Sequence, residues 1–160
     1  MYQKIACLLF AVFFLLFSSA GSVNAEIFKT PVTKNTEQWS IRIGEARLDA
    51  PDMIKSKPGV FDVYSLEIKN NGHTLHNVTV EVYRDEPNSL TKFGLFSNPI
   101  GTIKQGQSIL LHKNFPLSVK AKEVEVIVSW QDESKLARDG KTKLEGRKYK
   151  QSFIFKPNSQ

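Results

Sequence analysis

Glu123-Val124-Glu125-Val126-Ile127-Val128-Ser129-Trp130 decides the fold. Val124, Val126, Val128 and Trp130 fall at every second position, with Glu123, Glu125 and Ser129 between them. Period two is the signature of a strand with one face buried and the other wet. A helix would need apolar residues three and four apart, which this stretch does not supply.

Working outward, the same period recurs between turn signals. Residues 76–84 alternate Val78, Val80 and Val82 with Thr79, Glu81 and Tyr83. Residues 60–69 set Tyr64, Leu66 and Ile68 against Phe61 and Val63. In 38–48, Trp39, Ile41 and Ile43 oppose Ser40 and Arg42. Residues 107–115 carry Ile109, Leu111 and Phe115, with Pro116 expected to break the strand. Residues 148–155 place Tyr149, Gln151, Phe153 and Phe155 on one face. Leu90, Phe93, Leu95 and Phe96 suit neither period cleanly, so 90–97 reads as a short edge strand. The segments 49–59 and 97–106, rich in Pro and Gly, read as loops. Asn70-Asn71-Gly72 reads as a hairpin turn. About seven short strands with no amphipathic helix predict an all-β, two-sheet antiparallel sandwich of the immunoglobulin-like type.

The first 25 residues stand apart. Lys4 precedes an unbroken apolar run of 13 residues, 5–17, and small residues lead to Val23-Asn24-Ala25. This is the grammar of a cleaved signal peptide, and the run is shorter than the about 20 residues a membrane-spanning helix needs. Cys7 lies inside the run, where a lipid-modified cysteine would not. The expected organisation is a signal peptide over 1–25, a polar N-terminal arm over 26–37 and one sandwich domain over 38–160. No stable membrane insertion is expected after cleavage. The expected location is outside a bacterial cell, free or associated with the wall. Without another cysteine, the domain must be held by burial rather than by disulfides.

The net charge of +6 falls to +5 without Lys4. A modestly basic exported protein meets polyanions, so an anionic cell-wall polymer or another secreted or surface protein is the expected partner, with no specific nucleic acid.

The stretch 60–130 resembles bacterial extracellular immunoglobulin-like modules of the adhesion-related, CARDB/FxLyD type. The shared pattern is carried by Lys69-Asn70-Asn71-Gly72, then Asn77-Val78-Thr79-Val80-Glu81-Val82-Tyr83, then Gly106-Gln107-Ser108 and the alternating valines of 124–130. The departure is an insertion over 87–101. The resemblance implies a binding, spacer or accessory domain and not a catalyst.

Site candidates are few. There is no Gly-x-Ser-x-Gly motif, no cysteine after residue 25, and no histidine in a nucleophile's context, so no enzyme and no cofactor are expected. Asp85-Glu86 and Asp132-Glu133 are adjacent pairs rather than carboxylates aimed across a cleft. Asp49, Asp52 and Asp62 lack the dense oxygen spacing of a calcium loop. Asn77-Val78-Thr79 is a glycosylation sequon inside a strand. His73, His76 and His112 are weak metal candidates, and they define one alternative, a small copper or zinc carrier. A protease-inhibitor-like module is a second alternative.

Two features carry the functional expectation. Lys135, Arg138, Lys141, Lys143, Arg147, Lys148 and Lys150 crowd a glycine-containing connection that reads as a mobile loop, suited to an anionic surface. Phe93 and Phe96 follow a polar turn, and one of them would anchor a protein partner if both cannot enter the core.

Overall fold

The computed structural model describes residues 27–157; the expected signal peptide and its cleavage site lie outside them. Among the described residues every regular element is a strand: β1 Val32–Asn35, β2 Trp39–Glu45, β3 Phe61–Asn70, β4 Leu75–Asp85, β5 Lys92–Ile103, β6 Ser108–Ser118, β7 Val124–Gln131, β8 Lys135–Leu136, β9 Lys143–Leu144 and β10 Lys148–Phe155. Eight of them form two antiparallel sheets, β1-β2-β3-β6 and β10-β7-β4-β5, and β8 pairs with β9 in a small outlying ladder. The two-sheet antiparallel sandwich is the predicted fold class. No helix among the described residues is long and apolar enough to cross a membrane.

The valine alternation does what the period requires. Val78, Val80, Val82, Val124, Val126 and Val128 are fully buried on the inner face of one sheet. Trp39, Ile41, Ile43, Leu66 and Ile68 face them from the other. Burying each such side chain contributes about 1.5–3 kcal/mol relative to exposure, so this seam is the main stabilising term. Cross-sheet contacts align β1 over β10, where Lys34 lies 5.8 Å from the Phe155 ring. They align β2 over β7, where Trp39 meets Trp130 edge to face at 5.6 Å. They align β6 over β5, where Phe115 meets Phe96 at 5.6 Å.

Four sequence expectations change. The N-terminal arm is part of the fold: Ile27 and Phe28 are buried, Phe28 N–H donates to the Tyr64 hydroxyl at 3.2 Å, and Val32–Asn35 pairs with β2. Two apolar residues were too few to show a period, yet enough to anchor a segment.

Asn70-Asn71-Gly72 closes no hairpin. It carries the chain from β3 in one sheet to β4 in the other. A two-residue type I′ turn needs positive φ at both central residues, and neither Asn71 nor Gly72 is in that region.

Residues 92–103 form one long strand rather than a short strand and a loop. As β5 lies at a sheet edge, Pro99 withholds no donor from a second neighbour, and register shifts opposite Val78 and Tyr83 take up the irregularity. The 87–101 insertion is therefore the turn and most of the edge strand. Pro116 likewise does not end β6, which runs to Ser118 at the edge of the other sheet.

Candidate functional site

The β7 to β10 connection is an ordered hairpin standing off one end of the sandwich. Its base is held by Asp132 N–H donating to Arg147 O at 3.0 Å and by Gln131 Nε2 donating to Gly146 O at 2.9 Å. Glycine is required at 146, because a Cβ there would overlap the Asp132 carbonyl. At the tip, Ala137 N–H donates to Thr142 O at 2.8 Å, and Gly140 takes a positive φ of 65°. Asp139 accepts from the Thr142 hydroxyl and from the Lys141 and Thr142 amides. Those bonds, the Thr142 hydroxyl foremost, hold its carboxyl at about 2.

All seven sequence-selected cations, Lys135, Arg138, Lys141, Lys143, Arg147, Lys148 and Lys150, are exposed. Among the described residues none of them makes an ion pair with a carboxylate. The cations on the sheets that do are Arg42 with Glu67, Arg84 with Glu86, Lys92 with Glu123 and Glu125, and Lys113 with Asp49. Leu136 and Leu144 are also exposed on the hairpin, at 65% and 50%.

A cleft of about 590 Å³ opens beside the hairpin base, between the ends of the two sheets. Gln38 comes from the turn just before β2, His73 and Thr74 from the β3–β4 corner, Asp132 and Glu133 from the link between β7 and β8, and Trp130, Lys135 and Tyr149 from β7, β8 and β10. Trp130 and Tyr149 are cross-strand partners whose rings stack, 5.6 Å apart and 18° from parallel. Tyr149 hydroxyl donates to Asp132 Oδ2 at 3.0 Å. Sequence reasoning used Trp130 and Tyr149 only as strand markers. The available signal was an aromatic residue at the facing ends of two consecutive long strands.

The three histidines do not meet. His73 Nε2 lies 4.0 Å from Asp132 Oδ1, and His76 Nε2 lies 3.6 Å from Glu133 Oε1, so each faces its own carboxylate. His112 sits away from them in β6, its ring 4.9 Å from Phe96 and 6.0 Å from Phe115. Burial there holds its imidazole below the ordinary value, and Nδ1 accepts from the Asn114 amide at 3.2 Å. No group of three or more His, Cys, Asp or Glu that could hold a metal ion is present among the described residues.

Phe93 and Phe96 differ in burial although the bulge between Gly94 and Phe96 brings both to one face of β5, opposite Arg84 and Val82. Phe96 packs against the core. Phe93 is 52% exposed, with the Arg84 guanidinium 4.6 Å above its ring. Leu90 beside it is fully exposed.

Comparison with known proteins gives relatives rather than an activity. The chain is 33% identical over 138 residues to the uncharacterized protein YozF of Bacillus subtilis (strain 168), covering 78% of each. It is 39% identical over 83 residues to the membrane protein insertase YidC of Ruthia magnifica subsp. Calyptogena magnifica, covering 49% of this chain and 15% of that protein. No solved structure matches. A family model matches residues 24–160, from the expected cleavage site onward, and with it the chain belongs to the family of YozF-like secreted proteins.

Proposed function

We propose that this secreted chain is a non-catalytic, immunoglobulin-like binding module that holds an anionic polymer of the cell surface through the β8–β9 hairpin. The observation that carries the reading is the set of seven exposed cations, none of them ion-paired with a carboxylate among the described residues, on and beside one projecting element. Asp139, one of the two acids within 135–150, has its oxygens committed to the hairpin's own turn. Seven cations against the two acids leave the local field positive. Such a surface binds polyanions by releasing their counterions, at a strength that falls steeply with salt.

The immunoglobulin-like part of the reading rests on strand order. With β2, β3, β4, β6, β7 and β10 read as A, B, C, E, F and G, the pairings become A-B-E in one sheet and G-F-C in the other. That arrangement is common to immunoglobulin-type sandwiches. The adhesion-related CARDB/FxLyD resemblance supports the same type of module.

The protein should be retained on heparin resin, a soluble-polyanion mimic, at low salt and elute well below molar salt. Replacing Lys141, Lys143 and Arg147 with Gln should advance elution while changing stability by less than about 0.5 kcal/mol, as expected for exposed positions. Equal retention of the triple variant would move the binding charge away from the hairpin.

A further inference from the structure

The cleft at the hairpin base has a different chemistry from the hairpin itself. Among its lining residues are two carboxylates, Asp132 and Glu133, against one lysine, Lys135. A phosphate or sulfate group would meet those carboxylates, so the polyanion reading does not extend into the cleft. We propose that the cleft is a site for a neutral pyranose sugar chain, seated on the stacked aromatic pair of Tyr149 and Trp130.

Three observations converge on that ligand. The first is size: about 590 Å³ is ample for one or two sugar rings and lies within the usual range for small-ligand sites. The second is the aromatic floor. A pyranose presents a flat face of C–H groups, and such a face packs on aromatic rings. The rings of Trp130 and Tyr149 are within 18° of parallel. Stacked on each other, they leave the outer face of Tyr149 as a flat platform backed by Trp130, rather than a cage around a compact organic cation. Tyr149 is 39% exposed, so its ring offers contact area.

The third is the ring of polar groups around that floor. A sugar's hydroxyls both donate and accept, and the cleft supplies both functions. Asp132, Glu133 and the Gln38 carbonyl accept; Lys135 and Thr74 donate. The side chains of Thr74 and Lys135 make no hydrogen bond among the described residues. Tyr149 hydroxyl is bonded to Asp132, which fixes the carboxylate beside the platform before any ligand arrives. Pre-set geometry of this kind reduces the ordering cost of binding.

The platform itself is held from behind. Trp39 is fully buried and packs edge to face on Trp130 at 5.6 Å, so Trp130 is fixed by the core while it lines the cleft. A sugar contacting this tryptophan would perturb its fluorescence.

The test uses the full secreted chain and tetra-N-acetylchitotetraose, an uncharged oligosaccharide, with maltotetraose as a second sugar and choline chloride as a cationic probe. Tryptophan emission should shift with at least one oligosaccharide, and raising the salt to half molar should leave the affinity unchanged, because no charge pairs are made with the ligand. Tyr149→Ala should weaken binding by about tenfold or more, a loss of about 1.4 kcal/mol. Tyr149→Phe, which keeps the ring and loses the hydroxyl, should retain most of it. The Lys141, Lys143 and Arg147 triple variant should bind the sugar normally, which separates this site from the polyanion surface. No shift with either sugar at millimolar concentration overturns the proposal. So does a Tyr149→Ala variant that melts normally and binds as the parent does, or a response to choline alone.

Discussion

Asn70 is the residue on which the hairpin end of the molecule depends. Its side chain is fully buried yet fully occupied: Nδ2 donates to His73 O at 2.7 Å and to Ile103 O at 3.2 Å, while Oδ1 accepts from Gln38 Nε2 and from the Gly72 amide. Its backbone also receives the Gly106 amide and donates to Gln107 O. One side chain thus joins the turn just before β2, the β3–β4 corner and the end of β5. Asn70→Ala would strand several of those groups in the interior, where each unsatisfied one costs about 1–3 kcal/mol. The variant should lose about 2–4 kcal/mol in denaturant unfolding, and a loss below about 0.5 kcal/mol would show that water replaces the side chain. This role was not legible in the sequence. Asn beside Gly signals a tight turn through backbone preference, but here the asparagine's tertiary bonds redirect the chain across the sandwich.

The strands of the core were legible as elements because burial on one face imposes period two. Val78, Val80 and Val82 in β4, Val124, Val126 and Val128 in β7, Phe153 and Phe155 in β10 and Leu66 and Ile68 in β3 show it. β5 was not, since an edge strand with Pro99, Gly94 and Gly101 is wet over much of its length and interrupted by register shifts. The β8–β9 hairpin was legible as a charged connection but not as structure. Its two-residue ladder buries nothing, and its order comes from the clamped base and the Asp139 turn. Gly146 is the weak point of that element. Gly146→Ala would push a methyl group into the Asp132 carbonyl and force the base apart. Amide hydrogen exchange should quicken at Asp132 and Ala137, whose N–H groups bond across the hairpin, while the β4 and β7 core amides stay protected. Unchanged exchange at Asp132 would mean the strands shift without parting.

At the scale of the whole molecule, stability should respond to pH through the seam where β5 covers β6. His112 is wedged there against Phe96 and Phe115, and burial lowers its affinity for a proton below the ordinary value of 6.5. The unfolded chain, with the ordinary value, therefore binds the proton first as pH falls. Stability from this site is intact above 6.5 and is lost as pH drops through and below it. Protonation would also remove Nδ1 as the acceptor for the Asn114 amide. Melting temperatures between pH 7.5 and 5 should decline, and His112→Phe should flatten that decline. Parallel curves for parent and variant would assign the effect to other groups. Which strands pair was the part of the fold least open to sequence reasoning: period two identifies a face, but only packing decides which sheet receives it. The cleft has the same origin, since Gln38, Thr74, Trp130 and Tyr149 are brought together by the crossing from β3 to β4 and by the return through the hairpin.

The two prolines that interrupted the sequence pattern have a further effect on how such molecules meet one another. β5 and β6 form one flank of the sandwich, and each edge carries a proline and a register irregularity. A neighbouring chain offering a strand there finds missing donors and a bent ladder. On the opposite flank β10 pairs with β7 without a break, but Lys148, Lys150 and Lys156 stand along or beside its edge, and two like edges would bring like charges together. A secreted protein has no chaperoned interior to retreat to, and it holds this fold without a disulfide. Its sheets are finished on one flank by geometry and on the other by the shortness of the four-residue β1 and the charge along β10, so crowding at a surface need not turn one copy into the template for the next.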